Sequence, residues 1–117
     1  HNCLDCALSA EQAYWRFTGP YGYIKVPISG TLRINNNDAL AQAVLHGLGI
    51  ALLPTYTIGM ELQKGRLQAA LPEYLSVERH IYACYLPSRH LPKKISSFIN
   101  FLSEHVGDMP YWDQSLK

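Results

Sequence analysis

Residues 35–54, NNNDALAQAVLHGLGIALLP, form the stretch of sequence that decides the fold. Good helix formers follow Asn37, which is the predicted N-cap, and the two glycines of HGLG end the helix. Ile50 then begins a short continuous apolar run that stops at Pro54, a pattern typical of a buried parallel strand. The stretch therefore predicts a helix that leads directly into a core strand of a layered α/β domain.

The segment before this stretch has the period of a strand. From residue 24 to residue 34 the apolar side chains fall on even positions, which predicts one buried face. Pro27 and Gly30 interrupt the pattern, so this strand is expected to lie at an edge or to bend there. Further strands are predicted at residues 1–8 and at residues 14–17, with a turn at residues 18–23.

The segment after the stretch adds helices and short strands. A helix is predicted from Thr55, with Gly65 as its stop, and a final helix from Pro92, closed by Gly107. The final helix carries one apolar stripe, formed by Ile95, Phe98, Ile99, Leu102 and Val106. Strands are predicted at residues 67–71 and 79–86.

Length and charge limit the function classes. The chain has 117 residues and a net charge of +1, which suits one domain and argues against a free-standing DNA-binding module. Its longest apolar run is far below the roughly 20 residues of a membrane helix, and no signal-peptide pattern is visible. Three cysteines cannot form a closed disulfide set, so a reducing, cytoplasmic location is expected.

The chemistry-bearing residues do not form a catalytic pattern. Cys3 and Cys6 have the spacing of a redox or metal pair, with buried structural cysteines as the alternative. The pair lacks the four ligands that a metal site requires, so neither a metal nor another cofactor is predicted. No phosphate loop, nucleophile elbow or zinc-protease motif is present, and we therefore expect the protein not to be an enzyme.

One feature does suggest binding. The asparagines at residues 35–37 lie where a strand passes into a helix N-terminus, whose free N–H groups attract an anion or a carboxylate. Ligands of open α/β sheets gather at such carboxyl ends of strands. The alternative is that these asparagines only form caps and turns.

Two other groups of residues each have two interpretations. Trp15 and Phe17 form either a core contact or a ligand cage. A cluster of basic residues forms either a solvated surface or a contact with an anion; its members are Arg79, Arg89, Lys93 and Lys94.

Residues 35–54 resemble the effector-binding domain of LysR-type transcriptional regulators. Flanking segments occur in the order that is typical of this family, at residues 1–4, 15–17, 26–30, 64–67, 71–74, 82–87 and 93–102. The likeness covers about residues 1–106 and is specific as an ordered set. It implies an α/β fold, namely a Rossmann-like lobe of a two-lobe effector domain of the periplasmic-binding-protein-like type 2 class.

The resemblance also implies a division of the chain. Residues 1–86 would be the second lobe, incomplete at its N-terminus, residues 87–106 the hinge return and the C-terminal helix of the first lobe, and residues 107–117 a tail. A winged helix-turn-helix and nearly all of the first lobe have no counterpart in this sequence, so DNA would be contacted only through an N-terminal segment outside it.

The effector site implied by the resemblance lies in the cleft between the lobes. Its second-lobe residues would be Cys6, Ala7, Leu8, Asn35, Asn36 and Asn37, with no catalytic or metal-binding residue. The implied partners are an unidentified small-molecule effector and further copies in a homodimer or homotetramer, without a membrane. The alternative is a periplasmic-type solute-binding protein for transport, which shares the fold.

Overall fold

A computed structural model describes residues 1–7, 13–76 and 80–114. The elements in chain order are β1 (Cys3–Cys6), β2 (Tyr14–Gly19), β3 (Gly22–Pro27), β4 (Arg33–Ile34), α1 (Asn37–Leu45), β5 (Ile50–Ala51), α2 (Thr55–Gln63), β6 (Leu75–Ser76) and α3 (Lys93–Val106). None of the helices in this part of the chain combines the length and the apolar character that crossing a membrane requires. The S-x-x-Q pattern that begins at Ser9 predicts a helical turn, but these residues lie outside the described part of the chain.

A parallel sheet forms around β1. β1 lies between β4 and β5 and pairs in parallel with both, and α1 connects β4 to β5 while packing on all three strands. The predicted parallel strand after the HGLG turn is confirmed as β5. Its burial is less complete than predicted, because β5 lies at an edge of this sheet and Ile50 remains 38% exposed.

The core lies between β1 and α1. Leu4 and Leu40 are completely buried, and Ala41 is 5% exposed. Leu4 comes from the central strand and the other two from the helix that crosses it. This contact fixes the helix over the strands, so the β4–α1–β5 unit is the best-packed part of the described chain.

The cap of α1 lies one residue earlier than predicted. Asn36, and not Asn37, has the extended backbone of an N-cap, and its Oδ1 accepts a hydrogen bond from the Ala39 N–H at 2.9 Å. Asn37 is already the first helical residue. The predicted stop is confirmed, since Gly47 has a φ of +76°, which a side chain would disfavour.

The predicted strand at residues 24–34 is wrong as a single element. It divides into β3, which ends at Pro27, and β4, and these strands belong to different sheets. β3 pairs antiparallel with β2 across the tight turn at Pro20 and Tyr21, and β6, which was not predicted, pairs with the other side of β2. β3 is an edge strand, as Pro27 indicated, because proline has no N–H to donate to a further strand.

Two further predicted strands are wrong. Residues 67–71 form no strand; residues 68–71 are exposed and Leu71 has a φ of +54°, which is incompatible with extended pairing. Residues 80–86 also form none, and the rest of that prediction lies outside the described residues. All of residues 80–86 are exposed, and a strand requires a neighbouring strand with which to share its backbone hydrogen bonds.

α3 forms as its apolar stripe predicts, with Pro92 as N-cap and Lys93 as its first residue. It contacts no other helix or strand of the described chain. Its stripe faces the irregular segment of residues 81–85 across a groove, and no residue of α3 is buried. Phe98 is 60% exposed, so the periodicity correctly identified an apolar face, which the described chain leaves largely uncovered.

Candidate functional site

Two segments that were predicted to contribute to the effector site, one at the end of β1 and one after β4, come together at the carboxyl edge of the parallel sheet. Cys6 is paired with Ile34 in the register of β1 and β4, and the Ala7 N–H donates to the Ile34 carbonyl oxygen at 2.7 Å. Since both strands run in the same direction, the residues that follow them, Ala7 and Asn35, leave the sheet side by side. Leu8 lies outside the described residues.

The three asparagines at this edge occupy different environments. Asn35 is exposed, Asn36 caps α1, and Asn37 is half-buried in the first helical turn. The cap interpretation is therefore confirmed for Asn36, whose side-chain oxygen is occupied by the Ala39 N–H. Asn35 presents its amide to solvent without a role in the cap, so it is the asparagine best placed for contact with a ligand.

A third segment reaches the same edge and was missed by the sequence analysis. β5 is also parallel to β1, with Ala51 paired to Leu4, so residues 52–55 leave the sheet in the same direction as Ala7. Leu52 is 38% exposed, and Pro54, the N-cap of α2, provides no side-chain hydrogen bond to that helix. α1 follows β4 and α2 follows β5, so both helices begin at this edge. Their N-termini, which are the positive ends of the helix dipoles, point towards it. The parallel strand predicted before Pro54 was the signal that could have placed these residues in the site.

Behind the edge, a polar cluster joins the two sheets. Asp5 is paired with Arg33 in the strand register, and its carboxylate accepts hydrogen bonds from the Arg33 Nε at 3.2 Å and from the Trp15 Nε1 at 3.4 Å. Trp15 and Phe17 meet edge to face with ring centroids 6.4 Å apart. Trp15 is thus a contact between the hairpin and the parallel sheet, which favours the core interpretation over the ligand cage.

A shallow cavity of about 240 Å³ adjoins the Asp5 cluster. Cys3, Ser29 and Leu32 are among its lining residues, while Cys6, Ala7 and the three asparagines are not. The cavity therefore lies beside the strands and not at their carboxyl edge. It is also smaller than most ligand pockets, which hold roughly 300–1,000 Å³.

The remaining candidate residues are dispersed. In the described ranges, no group of three or more His, Cys, Asp and Glu side chains could hold a metal ion. All three cysteines are unpaired, and Cys84 is exposed on the segment beside α3. His46 is the C-cap of α1, with its Nδ1 2.8 Å from the Gln42 carbonyl oxygen. Arg89, Lys93 and Lys94 are exposed, and Arg79 lies outside the described residues.

A comparison with protein families identifies the class to which this α/β arrangement belongs. The family model described as the LysR substrate binding domain matches residues 10–107. The chain therefore belongs to the LysR substrate-binding domain family, whose fold is of the periplasmic-binding-protein-like type 2 class. The resemblance of the sequence to this family is confirmed.

Particular relatives are regulators of transcription. The chain is 34% identical over 97 residues to the HTH-type transcriptional regulator PtxR of Pseudomonas aeruginosa, covering 83% of this chain and 31% of PtxR. It is 40% identical over 102 residues to an uncharacterized HTH-type transcriptional regulator of Haemophilus influenzae, covering 86% of this chain and 35% of that protein. The HTH-type transcriptional activator CmpR of Synechocystis is 32% identical over 74 residues, or 63% of this chain and 24% of CmpR. The chain thus spans about a third or less of these relatives.

Proposed function

We propose that this chain is the effector-sensing portion of a LysR-type transcriptional regulator, and that a small molecule binds at the carboxyl edge of its parallel sheet. The observation that carries this proposal is the register of β1, β4 and β5. It brings Cys6, Ala7 and the asparagines Asn35, Asn36 and Asn37 to one edge, together with residues 52–55. Leu8, which follows Ala7 in the sequence, is included in the proposed site because the family resemblance implies it together with Cys6 and Ala7.

Two physical features support this location. Ligands of open α/β sheets bind outside the carboxyl ends of the strands, where the loops that follow the strands supply polar groups. The N-termini of α1 and α2 lie at the same edge, and helix N-termini favour negative charge. We therefore propose an effector with an acidic group, held by backbone N–H groups and the amide of Asn35.

The proposal extends to the whole regulator. Residues 1–86 form the second lobe, residues 87–106 return to the first lobe through a hinge and its C-terminal helix, and residues 107–117 are a tail. An effector that binds the closed lobes more tightly than the open ones shifts their equilibrium. This shift alters how a homodimer or homotetramer holds DNA through its winged helix-turn-helix segments in the cytoplasm. The chain then binds a ligand and does not act as an enzyme.

The alternative of a solute-binding protein for transport is not favoured. PtxR and CmpR, which the chain resembles, are both named as regulators of transcription. The matching family model is described as the LysR substrate binding domain, and LysR-type proteins are transcriptional regulators. Sensing therefore accounts for the comparisons more directly than transport does.

Fragment mapping by NMR tests the location of the site. A library of small carboxylic acids, amines and neutral alcohols is added to the complete isotope-labelled protein, and amide shifts locate each binder. We expect the carboxylic acids to cluster at Ala7, Asn35 and Thr55, with weaker effects from the other two classes. A cluster of binders at another surface, or shifts spread without a preferred location, would contradict the proposed site.

A further inference from the structure

The middle of α2 holds a glycine where a helix would favour another residue. Gly59 is the fifth of the nine residues of α2 and its only buried residue. Glycine in a helix interior is unfavourable relative to alanine, because it has more conformational freedom to lose on folding. A close neighbour that leaves no room for a side chain would explain a glycine at such a position.

The neighbour of Gly59 is the chain segment after α3. A Cβ added at Gly59 would lie 2.5 Å from the carbonyl oxygen of Trp112 and 3.1 Å from its Cβ. The first distance is shorter than real Cβ atoms tolerate, and the clash would involve backbone, which cannot rotate away as a flexible side chain does. The backbone of Trp112 therefore lies against α2 at a distance that only a glycine at position 59 allows.

Residues 110–113 have an ordered local structure, and we name them the C-terminal tie. The Asp113 N–H donates to the Pro110 carbonyl oxygen at 2.9 Å, which closes a turn. The rings of Tyr111 and Trp112 meet edge to face with centroids 4.9 Å apart. Pro110, Trp112 and Asp113 are half-buried although they follow the last helix.

In the described part of the chain, the C-terminal tie links the C-terminal end of α3 to α2 through the approach of Trp112 to Gly59. α3 itself contacts no other helix or strand of the described residues. Only residues 107–109 separate the end of α3 from the C-terminal tie, and the four Cα-to-Cα steps from Val106 to Pro110 span at most about 14 Å. The end of α3 therefore cannot move farther than this short connection allows while Trp112 stays on Gly59.

We propose that the C-terminal tie fastens α3 to α2 through Gly59 and thereby sets the position of α3 relative to the parallel sheet. One consequence rests on the proposed function: if α3 belongs to the first lobe and α2 to the second, the C-terminal tie crosses between the lobes. It then limits how far the cleft opens, and release of Trp112 from α2 widens the range of lobe positions.

Hydrogen exchange in the complete protein tests the docking of the C-terminal tie. Gly59→Ala removes the space for Trp112, and Trp112→Ala removes the indole, while Gln63→Ala introduces alanine at an exposed position of the same helix. In the first two variants, we expect amide exchange of residues 110–113 to accelerate by about tenfold or more. We expect α2 to remain protected, or to gain protection in Gly59→Ala because alanine favours the helix. The control should leave exchange of the C-terminal tie within about twofold of the parent.

Distance measurements test whether the C-terminal tie positions α3. Spin labels are attached through Gln63→Cys on α2 and Ser97→Cys on α3, with the native cysteines of the complete protein replaced by serine. We expect one narrow distance distribution in the parent and a broader one after Gly59→Ala. Unchanged exchange of residues 110–113 in both Gly59→Ala and Trp112→Ala would overturn the docking. Faster exchange with an unchanged distance distribution would overturn the positioning role. Neither measurement uses an effector, so these failures are distinguishable from a failure of the proposed site.

Discussion

The two ends of the parallel sheet use their polar groups in different ways. At the amino end, the Asn2 side chain donates to the Thr31 Oγ1 at 2.9 Å and to the Leu48 carbonyl oxygen at 2.8 Å, and accepts from the Thr31 N–H at 2.8 Å. One amide thus joins the loops that precede β4 and β5. At the carboxyl end, Asn36 caps α1 while Asn35 is exposed beside Ala7. The hydrogen bonds at the amino end stabilise the fold, whereas the carboxyl end leaves polar groups available to a ligand.

This difference follows from the direction of the strands. In a parallel sheet every connection that enters a helix leaves from the carboxyl end, so helix N-termini and loop residues accumulate there. The amino end receives chain that returns from helices, and its loops can be joined tightly without loss of function. Asn2 is therefore expected to matter for stability, and Asn35 for binding.

The largest effect is expected from Asn2→Ala. The substitution leaves the Thr31 N–H and the Leu48 carbonyl oxygen without this partner, and we expect the free energy of unfolding to fall by about 1–2 kcal/mol. Urea denaturation of the complete protein measures the change, with His1→Ala as the control at the exposed neighbouring position. A loss below about 0.5 kcal/mol would show that Asn2 does not hold the amino end together.

A smaller effect on stability is expected from Asn36→Ala. Removing the N-cap of α1 typically costs about 1 kcal/mol, and Asn36→Asp should restore most of it, because aspartate caps a helix as well as asparagine does. Thermal unfolding of the two variants compares them directly. Equal stability of Asn36→Ala and the parent would argue against the cap. If Asn36→Ala loses ligand binding, the cause is either the lost helix cap or a lost contact between Asn36 and the ligand. Asn36→Asp restores the cap, so ligand binding by this variant separates the two causes.

The sequence predicted the elements whose signal is local. α1, α2 and α3 were found because helix formers, apolar spacing and glycine stops act within a few residues, and Gly47 and Gly107 end α1 and α3 as expected. The predicted strands at residues 67–71 and 80–86 failed because pairing depends on a distant neighbour, which alternation within one segment does not reveal. β6 was missed for the same reason, since it is short and is defined by its pairing with β2.

The candidate site shows the same division between local and distant signals. The strand-to-helix junction at Asn35 was predicted from its own residues, whereas Cys6 and Ala7 came from family resemblance. Residues 52–55 were missed, because their place depends on β5 lying beside β1 in the same direction. The stripe of α3 was predicted correctly, and Phe98 on this stripe is 60% exposed in the described chain, because an apolar face does not specify what covers it.

The smallest effect on stability, and the sharpest distinction between the two ends, is expected from Asn35→Ala. Asn35 is exposed and its amide does not cap α1, so the free energy of unfolding should change by less than about 0.5 kcal/mol. Binding of the carboxylic-acid fragments at Ala7 should nevertheless weaken by about tenfold, because a hydrogen bond to a charged group is worth roughly 1.5–3 kcal/mol. Titration by NMR measures the change, and Asn100→Ala on exposed α3 is the matched control.

Equal fragment affinity in Asn35→Ala and Asn100→Ala would place the ligand elsewhere at the edge, on backbone N–H groups alone. An equal loss of stability in Asn35→Ala and Asn2→Ala would remove the contrast between the ends altogether. The contrast requires that Asn35→Ala at the carboxyl end lowers fragment affinity without lowering stability. It also requires that Asn2→Ala at the amino end lowers stability without lowering fragment affinity. Asn35 and Asn2 carry the same amide group, so any difference between them arises from position and not from chemistry.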